Sequence, residues 1–320
     1  MSNSIKFAII GAGNGGQSMA GDLVLRGFNV VGLYDPFPEA IKYLQQQGGI
    51  KMIGDIVSGF AKIPLISTDM EAVVKNADII MVVVPAYAHE FMAKELAKYV
   101  KPHQIVILNP GYFGGAIYFK KVFDEMGVSC KVIAETVILL YATRIVGPGA
   151  VGIQDIKKWL LIATLPRVAA KEIVDLLHPV FPQFEAADNV WVTSINNTNP
   201  MGHVPGYLFN LGRIGSEGSQ FVGDFSEWTK APEIKRVSHA LDQERIKVAN
   251  ALGVKAISEE EWFERSYGKT KKPVVQRVGE VPNNASLVAE RYVTEDVPFG
   301  LIPLLSLGEQ IGVDMPITKA

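Results

Sequence analysis

The feature that most constrains this chain is a glycine-rich turn set between an apolar run and a helical stretch. Residues 5–10 are strand-like, Gly11-Ala12-Gly13-Asn14-Gly15-Gly16 follows, and residues 15–26 read as a helix stopped by Gly27. The turn fits the pattern G-x-G-x-x-G, in which Gly11 permits a tight turn, Gly13 lets the backbone approach a pyrophosphate, and Gly16 lets helix pack closely on strand. A pyrophosphate there meets free N–H groups, Asn14 among them, and the positive end of the helix dipole. Glycines cluster in many turns, so the context matters: a strand precedes, a helix follows, and Asp35 ends the next strand at residues 29–34. Asp35 is expected to accept hydrogen bonds from the adenosine ribose hydroxyls and repel a 2′-phosphate, which favours NAD over NADP. The plainer alternative is a cap for the helix near Glu39. No arginine lies in Pro36-Phe37-Pro38, while Arg26 and Lys42 keep NADP open. FAD shares the fingerprint, but no second flavin-type segment accompanies it.

The rest of the first half alternates strands and helices. Residues 78–84 are apolar without alternation, as in a buried parallel strand, and are followed by a helix at 89–100 and strands at 104–108 and 131–134. This rhythm predicts an α/β fold, a Rossmann doubly wound, mostly parallel sheet with helices on both faces. Two apolar stretches within residues 151–165 flank Ile156-Lys157-Lys158 and suggest edge strands, and a helix at 167–180 would close the domain. Beyond residue 187 helical patterns take over, as at 233–252, where apolar positions recur every three or four residues until Gly253. We expect a dinucleotide-binding domain over residues 1–186 and an all-helical substrate and catalytic domain over 187–320. The chain has 320 residues, enough for two domains, and 48% of them are apolar, enough for a sizeable core.

A net charge of −2 with both signs dispersed gives no case for nucleic acid or an anionic membrane as partner. Cys130 is the single cysteine, so no internal disulfide forms; it reads as a small buried filler beside a strand, and the chain suits a reducing cytoplasm. The N-terminus lacks a signal-peptide layout and the apolar runs are strand-sized, which predicts a soluble cytoplasmic protein. Monomer and homodimer both stay open.

Ligands of open parallel sheets bind beyond the carboxyl ends of the strands. Residues 84–89, with Pro85 placed to line the cofactor, residues 109–115 with their glycines, and Glu135-Thr136, placed to face a substrate, should arrive there. His89 and Glu135 each have a plainer reading as parts of caps and turns. A dehydrogenase also needs a proton donor, and histidine suits the task near neutrality. His103 and His178 adjoin prolines in ordinary loops, and His239 lies on an amphipathic helix. His203 follows a polar stretch, Asn196-Asn197-Thr198-Asn199, between apolar segments; those side chains can equally serve helix ends. A second segment, residues 291–300, gathers Arg291, Glu295 and Asp296 before Pro298-Phe299-Gly300. An arginine can grip a carboxylate and an aspartate can orient a histidine, although charge clusters are commonly solvated helix starts.

Asn199-Pro200-Met201-Gly202-His203-Val204-Pro205 resembles the histidine motif of the octopine/nopaline (opine) dehydrogenase family, and residues 291–304 resemble its second signature. Residues 242–246 and 261–268 are similar too, and the likeness runs from the glycine turn to the last residues. The resemblance implies an oxidoreductase that couples an amino acid to a pyruvate-like 2-oxo acid and reduces the imine with NAD(P)H. It implies His203 as acid/base, Asp296 as its orienting partner and Arg291 as holder of the oxo-acid carboxylate, with no metal. It also implies further helical chain beyond Pro316-Ile317-Thr318-Lys319-Ala320. Two alternatives accompany this reading: a hydroxy-acid dehydrogenase of similar domain plan, and a non-catalytic NAD-binding sensor.

Overall fold

The structure, a computed structural model, describes residues 5–217, 229, 231–268 and 291–320. The chain divides into two compact units, Met1–Thr193 with Ser266–Val281, and Ser194–Arg265 with Pro282–Ala320.

In the first unit the strands are β1 (Lys6–Ile10), β2 (Asn29–Tyr34), β3 (Gly49–Met52), β4 (Gly59–Lys62), β5 (Ile66–Ser67), β6 (Ile79–Val82), β7 (Ile105–Leu108), β8 (Val132–Thr136), β9 (Tyr141–Gly147), β10 (Ala150–Ile156), β11 (Leu160–Leu165) and β12 (Phe184–Ala186). The helices are α1 (Asn14–Leu25), α2 (Pro38–Gln47), α3 (Met70–Val74), α4 (His89–Ala97), α5 (Gly115–Glu125), α6 (Ala170–Leu177) and α7 (Val190–Ile195), the last running into the second unit. The main sheet has the order β12-β11-β8-β7-β6-β1-β2-β5. Every pairing in it is parallel except β8 with β11. Strands β6 and β7 are buried at all positions, as their unbroken apolar sequences require of strands covered on both faces. Sequence order reverses beside β1, which puts the glycine turn at the place where such sheets bind ligands.

Two expectations need correction. The stretches within residues 151–165 are not edge strands. β11 lies between β12 and β8, and β10 lies between β3 and β9 in a separate sheet of order β4-β3-β10-β9. The short β12, which no apolar run announces, is the true edge; Leu160, Ile162 and Ala163 of β11 are fully buried. The second sheet itself was not foreseen, because β3 and β4 are short and glycine-bearing.

That second sheet holds α1 by a polar ladder. Asn14 Oδ1 accepts from the Ile145 N–H at 2.6 Å, Ser18 bonds Thr143 through their hydroxyls, and the Tyr141 hydroxyl donates to Asp22 at 2.8 Å. Four helical residues rise about 6 Å and two strand residues about 6.6 Å, so the two periods stay in step. Ser18, Asp22, Tyr141 and Thr143 are all buried, where a polar group without a partner is costly. Burial and the neighbouring Asp22 carboxylate hold the Tyr141 hydroxyl well above its ordinary pKa, so it stays a donor.

Among the described residues beyond Ala186, every regular element is helical: α8 (Asn199–Leu208), α9 (Leu211–Glu217), α10 (Pro232–Ala251), α11 (Glu259–Tyr267), a π turn at Val297–Leu301 leading into α12 (Ile302–Gln310), and α13 (Pro316–Lys319). The expected helix at 233–252 is α10, which opens with a proline and buries Ile234, Leu241 and Val248. The same helix buries an ion pair. Arg245 bonds Asp242 Oδ1 through Nε at 2.9 Å and Nη2 at 2.7 Å, and its Nη1 donates to the Ile195 carbonyl at 2.9 Å. Glu244 accepts from the Ile317 and Thr318 N–H groups, each at 2.8 Å, and so caps α13. No helix among the described residues is long and apolar enough to cross a membrane.

Candidate active site

Helix α1 begins at a glycine turn shaped for close approach. Gly11 has φ +101°, and a Cβ there would lie 2.4 Å from the Val83 carbonyl oxygen; at Gly16 it would lie 1.7 Å from the Gly11 oxygen. Gly13 differs: it is exposed, and nothing lies within 4 Å of where its Cβ would be. The first turn of α1 carries no acidic residue, and no side chain caps it. This open end fits a dinucleotide pyrophosphate, since its N–H groups and dipole favour an anion and no side chain competes. Asp35 follows β2; its Oδ2 accepts from the Ala12 N–H at 2.8 Å and its Oδ1 from the Phe37 N–H at 3.1 Å. Burial raises the Asp35 pKa, and these two N–H groups oppose the rise. Asp35 therefore braces the glycine turn, and each oxygen keeps acceptor capacity for a ribose hydroxyl. Pro85 follows β6 and precedes a short 3-10 turn, next to Val83 and Val84, which pack on Gly11.

The other carboxyl-edge loops behave differently from the expectation. Glu135 is fully buried. Its Oε2 accepts from the Ala116 N–H at 2.7 Å, in the first turn of α5, and its Oε1 bonds the Thr193 hydroxyl. A carboxylate so enclosed anchors a helix start. Gly111 packs on Glu135, where a Cβ would lie 2.4 Å from Oε2, so its freedom serves packing. Beside it Tyr112 has φ 56°, left-handed backbone that costs a bulky residue roughly 1–2 kcal/mol. His89 begins α4 and is buried against Phe119, ring centroids 5.8 Å apart. Burial lowers its pKa to about 4, against a weaker opposing hydrogen bond with the Pro110 carbonyl. His89 is thus a neutral core histidine.

In the second unit the two sequence signatures meet. His203 stands on α8, and its Nδ1 lies 2.9 Å from Asp296 Oδ2; their side chains are 21% and 2% exposed. The Tyr292 ring faces the imidazole, centroids 4.2 Å apart and planes at 33°. Arg291 donates through Nη2 at 2.6 Å and Nε at 3.1 Å to Glu295 Oε2. Arg291 and Glu295 are one helical turn apart, as are Tyr292 and Asp296, so two adjacent rows of this helix carry the four residues. The π turn continues the same helix, and Gly300 lies against Pro200 of α8, where a Cβ would come within 2.5 Å of the proline ring. π turns recur at functional sites. The polar stretch before α8 serves backbone ends: Asn196 accepts from the Ile257 N–H at 2.9 Å, and Asn197 from the Asn199 N–H at 3.1 Å. Glu259 is a further acid whose pKa is raised, first by burial and then by Asp242, with His203, Arg245 and His239 opposing. Tyr292, Glu295 and Glu259 had no role in the sequence reading. The helical spacing from Arg291 and Asp296 was the one signal that pointed to the first two.

A dinucleotide fold joined to a helical unit bearing a histidine–carboxylate pair defines a class, the NAD(P)-dependent oxidoreductases of two-unit plan. Comparison with known proteins gives the family. Residues 186–320 match the family described as NAD/NADP octopine/nopaline dehydrogenase, alpha-helical domain, and residues 6–108 match NADP oxidoreductase coenzyme F420-dependent. An opine dehydrogenase from Arthrobacter sp. (strain 1C) is 34% identical over 325 residues, covering 100% of this chain and 89% of the relative. The protein ocs of Agrobacterium tumefaciens (strain Ach5) is 25% identical, covering 98% and 88%. Among solved structures, octopine dehydrogenase with NADH and pyruvate aligns with TM-score 0.71 at 22% identity, covering 98% of this chain and 86% of that one. Yersinopine dehydrogenase with NADP+ aligns with TM-score 0.74 at 15% identity, covering 100% and 89%; both likenesses are of fold. The chain belongs to the opine dehydrogenase family. It is an NAD(P)-dependent oxidoreductase acting on CH–NH bonds, which condenses an amino acid with a 2-oxo acid through an imine.

Proposed function

We propose that His203 is the acid/base of this reaction, that Asp296 orients it, and that Arg291, anchored by Glu295, holds the carboxylate of a pyruvate-like oxo acid. The observation that carries this reading is the bond between His203 Nδ1 and Asp296 Oδ2 at 2.9 Å. Condensation joins the amine nitrogen to the keto carbon and expels water, leaving a C=N bond. NAD(P)H, held by the glycine turn and Asp35, would supply hydride to that carbon. An imidazolium backed by a buried carboxylate gives its proton to the nitrogen, completing a secondary amine. In the reverse direction the neutral ring takes the proton back.

Residues 1–186 serve the cofactor in this reading and residues 187–320 the catalytic side chains. Gly11, Gly13, Asn14 and Gly16 shape the pyrophosphate seat, Asp35 takes the adenosine ribose, and Pro85 lines the approach. The acid at Asp35 favours NAD, and octopine dehydrogenase, which shares the fold, is solved with NADH. A single cysteine, with a thiol that burial pushes up to about 11, suits a reducing cytoplasm. The test is steady-state kinetics of two variants. His203→Ala should lower kcat by about two to four orders of magnitude. Arg291→Ala should raise the KM for the oxo acid far more than that for NADH. Unchanged turnover in the first, or an unaltered oxo-acid KM in the second, removes that residue from its role.

A further inference from the structure

We propose that Tyr292 is a positioning residue for His203, holding the imidazole plane together with the bond to Asp296. The proposal rests on the reading of His203 as acid/base. The final torsion of a histidine side chain is broad and roughly two-fold, so its ring direction is set by contacts. A hydrogen bond at Nδ1 tolerates a range of angles, so by itself it leaves the ring a limited rotation about the Cβ–Cγ bond. The face of Tyr292, 4.2 Å away and tilted by 33°, removes that rotation. With the edge and the plane both held, the direction of Nε2 is determined.

The two constraints come from one helix. Tyr292 and Asp296 are one turn apart and reach the same imidazole. Gly300 sits further along, where its lack of a side chain admits Pro200 of the histidine's own helix. The helix is thereby seated on α8 in the register that presents tyrosine face and carboxylate together. A phenol face carries partial negative charge, so it receives the imidazolium formed during turnover without repulsion. Asp296 meets the ring edge, and the Glu259 carboxylate acts on His203 from α11 at longer range.

The experiment compares Tyr292→Leu, Tyr292→Phe and His203→Ala by steady-state kinetics, NADH binding and nitrogen NMR of histidine-labelled protein. Tyr292→Leu keeps bulk but loses the flat face; kcat should fall about tenfold or more, since small misplacement of a reacting group is expensive in rate. The dissociation constant for NADH should stay within about twofold, because Tyr292 lies outside the glycine turn that seats the cofactor. Tyr292→Phe restores the face and should recover most of kcat. The His203 nitrogen signals, assigned by their absence in His203→Ala, should be sharp in wild type and Tyr292→Phe, and shifted and broadened by ring motion in Tyr292→Leu. If Tyr292→Leu does not fold, Tyr292→Met carries the same comparison. Wild-type kcat and unchanged His203 signals in Tyr292→Leu, beside an inactive His203→Ala, overturn the positioning role alone. Equal losses in the Leu and Phe variants also overturn it, because the hydroxyl and not the face would then matter. Full turnover in His203→Ala overturns the underlying reading instead.

Discussion

Asp296 is 2% exposed and His203 21%, so the pair joins a buried carboxylate to a ring that solvent can reach. Replacing Asp296 by Asn keeps the shape but removes the charge that supports an imidazolium. We expect kcat for imine reduction to fall by roughly two orders of magnitude with NADH affinity retained; a kcat within twofold of wild type would deny the pairing a role. Asp35→Ser should narrow the preference for NADH over NADPH in kcat/KM, and an unchanged ratio would leave Asp35 only as a brace for the glycine turn. His89 makes a stability prediction with a definite sign. The unfolded chain takes up a proton near pH 6.5 and the native ring only near 4, because burial disfavours its charge. The unfolded state therefore binds more protons in that window, and stability falls as pH drops through it, by up to about 3 kcal/mol. Urea midpoints of His89→Leu should vary less between pH 7 and 4.5 than those of wild type. At this scale the sequence named Gly13, Asp35, His203 and Asp296 by residue type and neighbourhood. It could not show that Glu135 is enclosed, because an acid at a strand end looks the same whether it meets a substrate or the Ala116 N–H.

The elements explain why the second signature must keep Gly300. A Cβ at position 300 would lie 2.5 Å from Pro200, so Gly300→Ala has to push the π turn away from α8. That displaces Asp296 and Tyr292 together. We expect a larger loss of kcat than of NADH affinity, and a fall in melting temperature too small to account for it; intact kcat would show that the π turn adjusts freely. On α1 the polar ladder carries an independent prediction. Tyr141→Phe deprives buried Asp22 of a donor and should destabilise the protein by about 1–3 kcal/mol in urea unfolding. No change would mean that Arg26, 3.1 Å from Asp22, suffices. Helix α1 and strands β1, β2, β6 and β7 were legible because long apolar runs and glycine stops mark them. β9 was not, since its role appears only when a four-residue helical period is laid against a two-residue strand period. The same reasoning covers β12, three residues long with a single apolar residue buried, which makes a sheet edge that apolar runs were expected to make.

At the scale of the whole molecule, alternation in the first half and helical periodicity in the second were enough to predict a Rossmann sheet and an all-helical region. The four-stranded second sheet was beyond such reading, because β3 and β4, at four residues each, give too few positions for a period to show. The fold alone does not choose the chemistry, because one fold can host unrelated reactions. What separates the opine dehydrogenase account from a hydroxy-acid dehydrogenase is the second substrate. An enzyme that reduces a ketone has no use for an amine, whereas one that reduces an imine cannot turn over without it. The most direct measurement is therefore NADH oxidation by the wild-type protein with pyruvate alone and with pyruvate plus a panel of amino acids. The account predicts oxidation only where an amino acid is present, with a secondary-amine dicarboxylate as product; oxidation at the same rate with pyruvate alone would contradict it.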